Sequence, residues 1–391
     1  MLYKLRDIFD LQMGKTPSRD NNMYWKDGNL PWVSISDLSK SQIYIENSKE
    51  LITKFAVKDT LVKCIPKDTV IMSFKLSLGK TAITRKPLYT NEAIMAFIDK
   101  KVIQIEPKYI YFLFSYIQWG QFTNNAVKGK TLNKKFFSDF QINIPKYTQQ
   151  TKVSSILIRI NKILEYKRSL IEIYDALIKS RFVEMFGDLN HNPLYPVVNL
   201  KSLIMGSPSN GFFASKELYD KNGKVNLVGV KEVVGNLYIN IYDTPKLNVD
   251  ESILEKYLID YGDMLFCRSS LVKSGIAKAS IVPKSNNKSC IFECHTIKIK
   301  FNQQLCIPEF MQVQTEQTYF RNQVIQNSKT ATMTTISQQG IVDTKVLLPP
   351  LSIQQKFTKF LSQINKLKSD VQKSIDETQL LMDSLMQEYF G

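Results

Sequence analysis

Two short motifs in the chain look like the end of a phosphate-binding loop. Residues 79–81 and residues 129–131 both read Gly-Lys-Thr. Such a loop needs another glycine five residues before its last one, so that the backbone can wrap the phosphates. Phe74 and Asn124 stand at those positions. We therefore predict no nucleotide site and interpret both motifs as basic loops, with a solvated turn as the alternative.

A second motif suggests methyl transfer. Residues 192–195, Asn-Pro-Leu-Tyr, differ by one residue from the Asn-Pro-Pro-Tyr of amino-methyltransferases. In those enzymes the asparagine and the prolyl carbonyl hold the target amine. No glycine-rich cofactor loop follows a strand anywhere in this chain, so the sequence lacks the second half of that chemistry. We predict that this segment is a linker and that the chain binds no cofactor.

Cysteine, histidine and acidic residues could also provide a metal site. Cys290, Cys294 and His295, with Cys267 or Cys306, are possible zinc ligands. The apolar alternation around them instead indicates a strand whose cysteines point into a core. Glu309 with residues 343–345 imitates a nuclease's acidic cluster, a pattern that arises easily by chance. We predict no metal site and no catalytic residue.

Composition points to a polyanionic partner. The 391 residues carry a net charge of +16, and 43% are hydrophobic, which is typical of a globular protein. Clustered lysine and arginine attract phosphates, so nucleic acid is the first expectation and an acidic membrane the second. The positive excess is concentrated in residues 1–144. The alternative is a basic protein without a charged partner.

Basic residues in loops that contain Gly, Ser or Thr are the candidates for DNA contact, because such loops commonly reach phosphates and base edges. In the first half they are Lys75, Lys80, Arg85, Lys128, Lys130, Lys134 and Lys135. In the second half they are Arg268, Lys273, Lys278 and Lys329.

The first residues lack the apolar core of a signal peptide. The most apolar run, residues 109–119, is too short to span a bilayer and is predicted to be a buried helix. Five cysteines, an odd number, suit reduced thiols. These features predict a cytoplasmic protein without a membrane partner.

An internal repeat organises the chain. Residues 145–187 align without a gap with residues 349–391, so the chain consists of two copies of a domain plus a connector. Each aligned segment is predicted to be one long helix, with apolar residues alternating at spacings of three and four, as in a coiled coil. The predicted pairing residues are Val153, Ile156, Ile160, Ile163, Leu170, Leu177, Phe357, Phe360, Ile364, Leu367, Val371 and Leu381. Two seams of equal length most simply pack on each other, although a partner's helices could share them.

The globular parts match more faintly, and their mixture of short strands and a few helices predicts an α+β fold. Met13–Gly14 is expected to correspond to Met205–Gly206. The predicted boundaries are a first globular domain at 1–145, a first long helix at 146–187, a linker at 188–197, a second globular domain at 198–348 and a second long helix at 349–391.

This organisation resembles the specificity subunit of type I restriction-modification enzymes, and the resemblance covers the whole chain. Its most specific part is Gly-Lys-Thr-Pro-Ser at 14–18 with Tyr-Trp-Lys-Asp-Gly-Asn-Leu-Pro-Trp-Val-Ser-Ile-Ser-Asp-Leu at 24–38, which looks like the opening of that family's target recognition domain. Residues 68–73, 78–82, 129–133 and 348–355 are also similar. The second domain departs from the pattern, because residues 224–232 lack the Pro-Trp pair.

The resemblance implies a non-catalytic DNA-binding subunit with two target recognition domains. Each domain would read one half of a split double-stranded DNA target, and the two helices would pair as an antiparallel coiled coil. The helices would also dock methyltransferase subunits, two per chain, with restriction subunits joining through the complex. Two alternatives remain: a coiled-coil scaffold that binds only proteins, and a self-contained methyltransferase or nuclease.

Overall fold

The structure is a computed structural model that describes residues 1–122, 132–241, 244–284 and 289–391. The chain divides into two compact units, which are described separately below. Unit 1 contains residues 1–168 and 373–391, and unit 2 contains residues 169–372.

Unit 1 begins with short strands and helices. Its strands are β1 (Leu2–Lys4), β2 (Phe9–Met13), β3 (Leu30–Val33), β4 (Tyr44–Ile45), β5 (Glu50–Ile52), β6 (Val70–Ser73), β7 (Thr81–Thr84), β8 (Tyr89–Thr90), β9 (Ile94–Asp99) and β10 (Gln141–Asn143). Its helices are α1 (Leu5–Ile8), α2 (Ile35–Lys40), α3 (Lys54–Thr60), α4 (Pro107–Tyr116) and α5 (Lys134–Asp139), followed by the long α6 (Tyr147–Phe186), which continues into unit 2.

The main sheet of unit 1 has the strand order β2-β9-β6-β7-β4 and lies against α4 and α5. All four residues of β6 are buried, as expected for a strand covered on both faces. The core there is aromatic: Phe97 packs against Phe114 at 4.7 Å and Phe137 at 5.8 Å between ring centroids. The apolar run at 109–119 forms α4 and its following turn, with Phe114 and Trp119 buried, as predicted.

Unit 2 repeats this sequence of elements. Its strands are β11 (Gly187–Asp188), β12 (Asn192–Pro193), β13 (Val197–Asn199), β14 (Ser209–Asn210), β15 (Val225–Val228), β16 (Lys246–Leu247), β17 (Met264–Cys267), β18 (Ser269–Ser270), β19 (Ala279–Ile281), β20 (Cys290–Phe292), β21 (Thr296–Ile299), β22 (Lys329–Thr330), β23 (Thr334–Thr335) and β24 (Lys345–Leu347). Its helices are α7 (Val230–Val233), α8 (Glu251–Tyr257), α9 (Pro308–Thr315), α10 (Thr318–Gln326) and α11 (Gln338–Val342), before the long α12 (Leu351–Phe390).

The two units share one sheet topology. In unit 1, β6 lies between antiparallel β9 and β7, and in unit 2, β17 lies between antiparallel β21 and β19. Strand β3 pairs antiparallel with β5 and parallel with β8, and β15 makes the same two pairings with β16 and β20. The predicted α+β fold is confirmed, and the shared topology agrees with an origin by duplication.

A buried glutamine near the start of each long helix makes the same contacts in both units. Gln150 accepts a hydrogen bond from the Glu106 amide at 2.9 Å and donates to the Pro145 carbonyl at 2.9 Å. Gln354 accepts from the Ile307 amide at 2.9 Å and donates to the Pro349 carbonyl at 2.8 Å. Since each side chain satisfies buried backbone groups, it fixes the start of its helix on the globular part of its unit.

One expected correspondence is wrong. Gly14 donates its amide to Ile94 and packs against the backbone of Thr90 and Asn91, where a Cβ would lie 2.2 Å from both carbonyl oxygens. The residue with this environment in unit 2 is Gly211, whose Cβ would meet the backbone of Phe292 and Glu293 at 2.4 Å. Gly206 instead has open space around it. The sequence match at Met-Gly was therefore fortuitous, because close backbone approach requires glycine at 14 and 211, whereas a left-handed backbone with φ +71° favours it at 206.

The long helices pack antiparallel within each unit. In unit 2, Phe186 near the end of α6 contacts Phe357 near the start of α12 at 5.4 Å between ring centroids, and Asp175 pairs with Lys368 about three turns further along. In unit 1, Lys167 donates to Ser374 and Thr378. Paired long helices were predicted from the apolar spacing, and their antiparallel direction was implied by the family resemblance.

At every second predicted pairing position, the residue that faces the partner helix is not the predicted one but the next one along the chain. Val153, Ile160, Phe357 and Ile364 are buried, but the predicted Ile163, Leu177, Leu367 and Leu381 are exposed. Their following neighbours, Leu164, Ile178, Lys368 and Met382, face inward instead. Ile156, Leu170, Phe360 and Val371 are half-buried. In three of these four pairs the sequence allowed either choice, because both neighbouring side chains are apolar, and packing selects the spacing of four then three.

The predicted linker at 188–197 contains the antiparallel pair β11 and β12. Its Asn-Pro-Leu-Tyr motif begins in β12, and Asn192, Pro193 and Leu194 are exposed. Within the described residues, none of the helices is long and apolar enough to cross a membrane.

Candidate nucleic-acid interface

In unit 2, several basic residues meet where β17 ends. Arg268 follows β17 directly, donates its backbone amide to the His295 carbonyl at 2.8 Å and accepts from the Ile336 amide at 3.0 Å. Its guanidinium reaches the Cys294 carbonyl at 3.3 Å. These bonds join three chain segments, which we call the unit 2 tip: residues 268–277, 293–295 and 329–336.

Lys329 belongs to this tip through a small sheet. Strand β23 pairs with both β18 and β22, so that Thr335 lies opposite Ser269 on one side and Lys329 on the other. Lys329 therefore lies two strand spacings, or about 10 Å, from Ser269, which follows Arg268 directly. Lys273 is exposed at the start of a turn in the same connection. Three of the four predicted basic residues of unit 2 are thus brought together.

Lys278 does not join them. Its ammonium pairs with Glu316 at the end of α9, and both side chains are about one quarter exposed. A cation already neutralised by a partly buried carboxylate contributes little to a phosphate-binding surface, so Lys278 is removed from the candidates. The spacing of residues could not reveal this, because Glu316 lies far away in the sequence.

In unit 1, the equivalent place is the connection between β6 and β7. We call this connection and residues 132–135 the unit 1 tip. Lys75 lies in this connection with its ammonium 5.4 Å from the centre of the Phe74 ring, and Lys80 is exposed at its end. The Leu132 amide donates to the Phe74 carbonyl at 3.0 Å, which brings exposed Lys134 and Lys135 to the same place. Lys128 and Lys130 lie outside the described residues.

Arg85 lies at the opposite end of the sheet. It follows β7, whereas Lys80 precedes that strand, and its guanidinium stacks on Tyr44 at 4.2 Å from the ring centre. The cavity beside it, about 600 Å³, is lined by Asn161, Lys162 and Glu165 of α6. Arg85 is therefore not part of the unit 1 tip.

The glycine of the first Gly-Lys-Thr motif has a structural explanation. Gly79 has φ +79°, and a Cβ there would lie 2.8 Å from the Trp119 ring. The close approach of this aromatic side chain, together with the left-handed backbone, accounts for glycine without a bound phosphate.

The residues predicted as possible zinc ligands lie at different places in unit 2. Cys290 is buried on β20 near the Asn226 amide, and Cys306 is buried elsewhere, where burial raises the pKa of its thiol to about 12. Among the described residues, Glu293, Cys294 and His295 bring their ligand atoms within 4.8 Å of one another. Burial, with a hydrogen bond to Glu293, raises the pKa of Cys294 to about 11, so at neutral pH this thiol keeps its proton and donates to the carboxylate.

The pattern of charges and loops in the sequence did not indicate one further cation, Arg19. Arg19 stacks over Trp25 and Trp32 at 4.0 and 4.9 Å from the ring centres and pairs with Glu50. The hydrogen bond to Glu50 raises the pKa of Arg19. Both tryptophans belong to the motif at 24–38, and arginine stacks on such rings more often than lysine does. Because Glu50 neutralises it, Arg19 serves the packing of this loop.

The fold defines a class of proteins with two related globular units, each joined to a long helix. Residues 1–173 match the family model for the type I restriction modification DNA specificity domain. The chain is 25% identical over 411 residues to the type I restriction enzyme MjaIX specificity subunit of Methanocaldococcus jannaschii, which covers 98% of this chain and 90% of that protein. It is 27% identical over 183 residues to the HindI specificity subunit of Haemophilus influenzae, covering 44% of this chain and 39% of that one.

Solved structures agree on the fold. A chain from a structure of a type I restriction-modification system, titled for its complex assembly and conformational transition, aligns with a TM-score of 0.61 at 14% identity, covering 100% of this chain and 97% of that one. The type I specificity subunit from M. genitalium aligns with a TM-score of 0.56 at 12% identity, covering 100% and 96%. Residues 1–173 thus match the type I DNA specificity domain, and the whole chain is similar to the specificity subunits of type I restriction enzymes.

Proposed function

We propose that this chain recognises a bipartite target in double-stranded DNA, with one half-site read by each globular domain. The observation that supports this most directly is the recurrence of a basic tip at the same strand connection in both units. The side chains at the two tips differ: lysines at 75, 80, 134 and 135 in unit 1, and Arg268, Lys273 and Lys329 in unit 2. Two domains that share a fold but differ in the side chains of their loops are suited to recognise two different DNA sequences.

Electrostatic attraction supports the same proposal. The chain carries +16, and within the part of the chain that the structure describes no salt bridge neutralises the tip lysines or Arg268, in contrast to Lys278. Each phosphate contact releases a condensed counterion, so binding should weaken steeply with salt. A coiled-coil scaffold that binds only proteins would not require this charge.

The long helices have a second role in the proposal, as docking surfaces for two methyltransferase subunits, with restriction subunits joining through the complex. The helices expose apolar side chains outside their seam, including Ile163, Ile173 and Leu177 on α6 and Leu367, Leu380 and Leu381 on α12. Exposed apolar residues on a helix commonly mark a protein interface. They also explain why the sequence offered two possible seams.

Neutralising the unit 2 tip tests DNA binding. The double variant Arg268→Ala/Lys329→Ala should weaken binding to all duplexes and lower the slope of log affinity against log salt by about 0.9 for each lost phosphate contact. Lys300→Ala is the matched control, because Lys300 follows the far end of β21 and carries the same charge away from the tip. Equal effects of the double variant and the control, measured by fluorescence anisotropy across a salt series, would refute the interface.

An exchange experiment tests the division into half-sites. Residues 1–145 are replaced by the first domain of another family member, and the methylated motif is read by methylome sequencing of cells that express the whole system. One half of the motif should change while the other stays the same. A chimera that changes both halves, or that assembles with its methyltransferase and changes neither, contradicts the proposal.

A further inference from the structure

Each tip carries one leucine side chain that is mostly exposed. In unit 1, Leu76 lies between β6 and β7 and is 75% exposed. In unit 2, Leu271 lies between the equivalent strands β17 and β19 and is 83% exposed, followed by the exposed Val272. A single exposed leucine needs no explanation, but the same feature in the same connection of two diverged copies does.

The backbone around Leu76 holds this side chain outward. Leu76 has φ +63°, a left-handed conformation that leucine rarely adopts. The flanking residues fix it, because the Gly79 amide donates to the Ser73 carbonyl at 2.9 Å and the Lys80 amide donates to the Ser73 hydroxyl at 3.0 Å. An unfavourable conformation that its surroundings impose is a common property of functional loops.

The surroundings of both leucines are cationic. Lys75 and Lys80 flank Leu76, and Arg268 and Lys273 flank Leu271. A protein surface that accepted these tips would need an apolar pocket ringed by acidic groups. Duplex DNA offers this combination over its whole length, because stacked apolar base faces lie inside two rows of phosphates. Leucine is among the side chains that enter base steps as wedges, and nearby cations hold the backbone while the step opens.

We propose that Leu76 and Leu271 each insert between two stacked base pairs of their own half-site and partly unstack that step. This inference rests on the proposed function, since it concerns how each tip engages its DNA. It adds a second means of recognition, because the cost of opening a step depends on its sequence and is lowest at flexible pyrimidine–purine steps.

The test uses the full chain assembled with its methyltransferase partner, and duplexes that carry the motif methylated in cells expressing the system. 2-Aminopurine replaces single bases through both half-sites, except at the methylated adenine, and its fluorescence reports unstacking. With the unaltered chain, fluorescence should rise at one step in each half-site. Leu76→Ala should abolish the rise in one half-site only, and Leu271→Ala in the other only. Each should lower affinity by about tenfold, since burial of the leucine side chain is lost.

Leu61→Ala is the matched control. Leu61 is 78% exposed with φ +55°, but it caps α3 at another place in unit 1. This variant should keep the affinity and both fluorescence signals. Its melting temperature, compared with that of Leu76→Ala, separates loss of fold from loss of contact.

The outcomes are distinguishable. If the unaltered chain shows no salt-dependent DNA binding, the proposed function fails and the wedge fails with it. If binding is normal but the leucine variants change neither affinity nor fluorescence, only the wedge is overturned. A loss of affinity without any fluorescence rise in the unaltered complex also overturns it, because the leucines would then contact groove atoms such as a thymine methyl without opening the stack.

Discussion

A lysine in the helix seam of unit 1 makes an unusual set of contacts that predicts an asymmetric response to mutation. The Lys167 ammonium donates to the Ser374 carbonyl at 2.9 Å, the Ser374 hydroxyl at 2.7 Å and the Thr378 hydroxyl at 2.6 Å. These acceptors are all neutral oxygens of α12, and no carboxylate is among them. Removing the hydroxyls while keeping the cation should therefore cost more than removing the cation.

The magnitudes follow from these contacts. Ser374→Ala with Thr378→Val leaves the half-buried ammonium with one carbonyl and whatever water reaches it. Hydrogen bonds to a charged group contribute about 1.5–3 kcal/mol each when fully buried, and partial exposure together with the better helix propensity of alanine reduces the sum to about 1.5–2 kcal/mol. Lys167→Met keeps the aliphatic stem, and the Thr378 hydroxyl still donates to the Ser374 carbonyl at 2.6 Å. We expect this change to cost less than about 0.5 kcal/mol.

The assay is thermal unfolding of the full chain, together with amide hydrogen exchange in α6 around Lys167. The double hydroxyl variant should melt about 3–8 °C lower and exchange faster there, at about 2–4 °C for each kcal/mol in a domain of this size. Adding Lys167→Met to it should restore most of the loss. Lys162→Met, at an exposed position of α6, controls for removal of a helix charge. The reasoning is refuted if Lys167→Met costs as much as the hydroxyl removal, or if the triple variant shows no recovery.

Three more predictions follow from other contacts. Gln354→Leu should lower the free energy of unfolding by about 2–3 kcal/mol in a denaturant titration, because it strands the Ile307 amide, and a loss below 0.5 kcal/mol would mean that water replaces the side chain. Iodoacetamide at pH 8 should label exposed Cys64 first, whereas Cys306 should react only on unfolding, because burial raises the pKa of its thiol to about 12. Labelling of Cys306 in the folded protein, detected by peptide mass spectrometry, would contradict this. One heptad inserted after Lys167 and another after Val371 should lengthen the spacing between half-sites by up to about three base pairs, because seven helical residues add about 10 Å. The measurement is methylation of DNA libraries with varied spacers. A variant that assembles but keeps the original spacing would show that the helices do not set the spacing.

The sequence by itself determined the features that depend on local pattern and on the repeat. The aligned segments at 145–187 and 349–391 predicted two long helices, and apolar periodicity is sufficient for this because a helix of such length leaves few other ways to bury a seam. The basic, globular composition and the motif at 14–38 pointed to the family whose domain model matches residues 1–173. The missing glycine at Phe74 was enough to reject a phosphate-binding loop, and Trp119 then explained the glycine that is present.

Only the tertiary structure decided which neighbouring residues face inward and which charges remain available. Leu164 rather than Ile163 enters the seam, because both are apolar and only packing against α12 distinguishes them. Lys278 was indistinguishable from Arg268 in sequence until Glu316 came beside it through the fold. The two exposed leucines carried no sequence signal at all, because an apolar residue in a loop is ordinarily buried. The sheet register shows that β6 and β17 occupy the same place in the two units, and the solvent exposure of both side chains is a property of the folded loops.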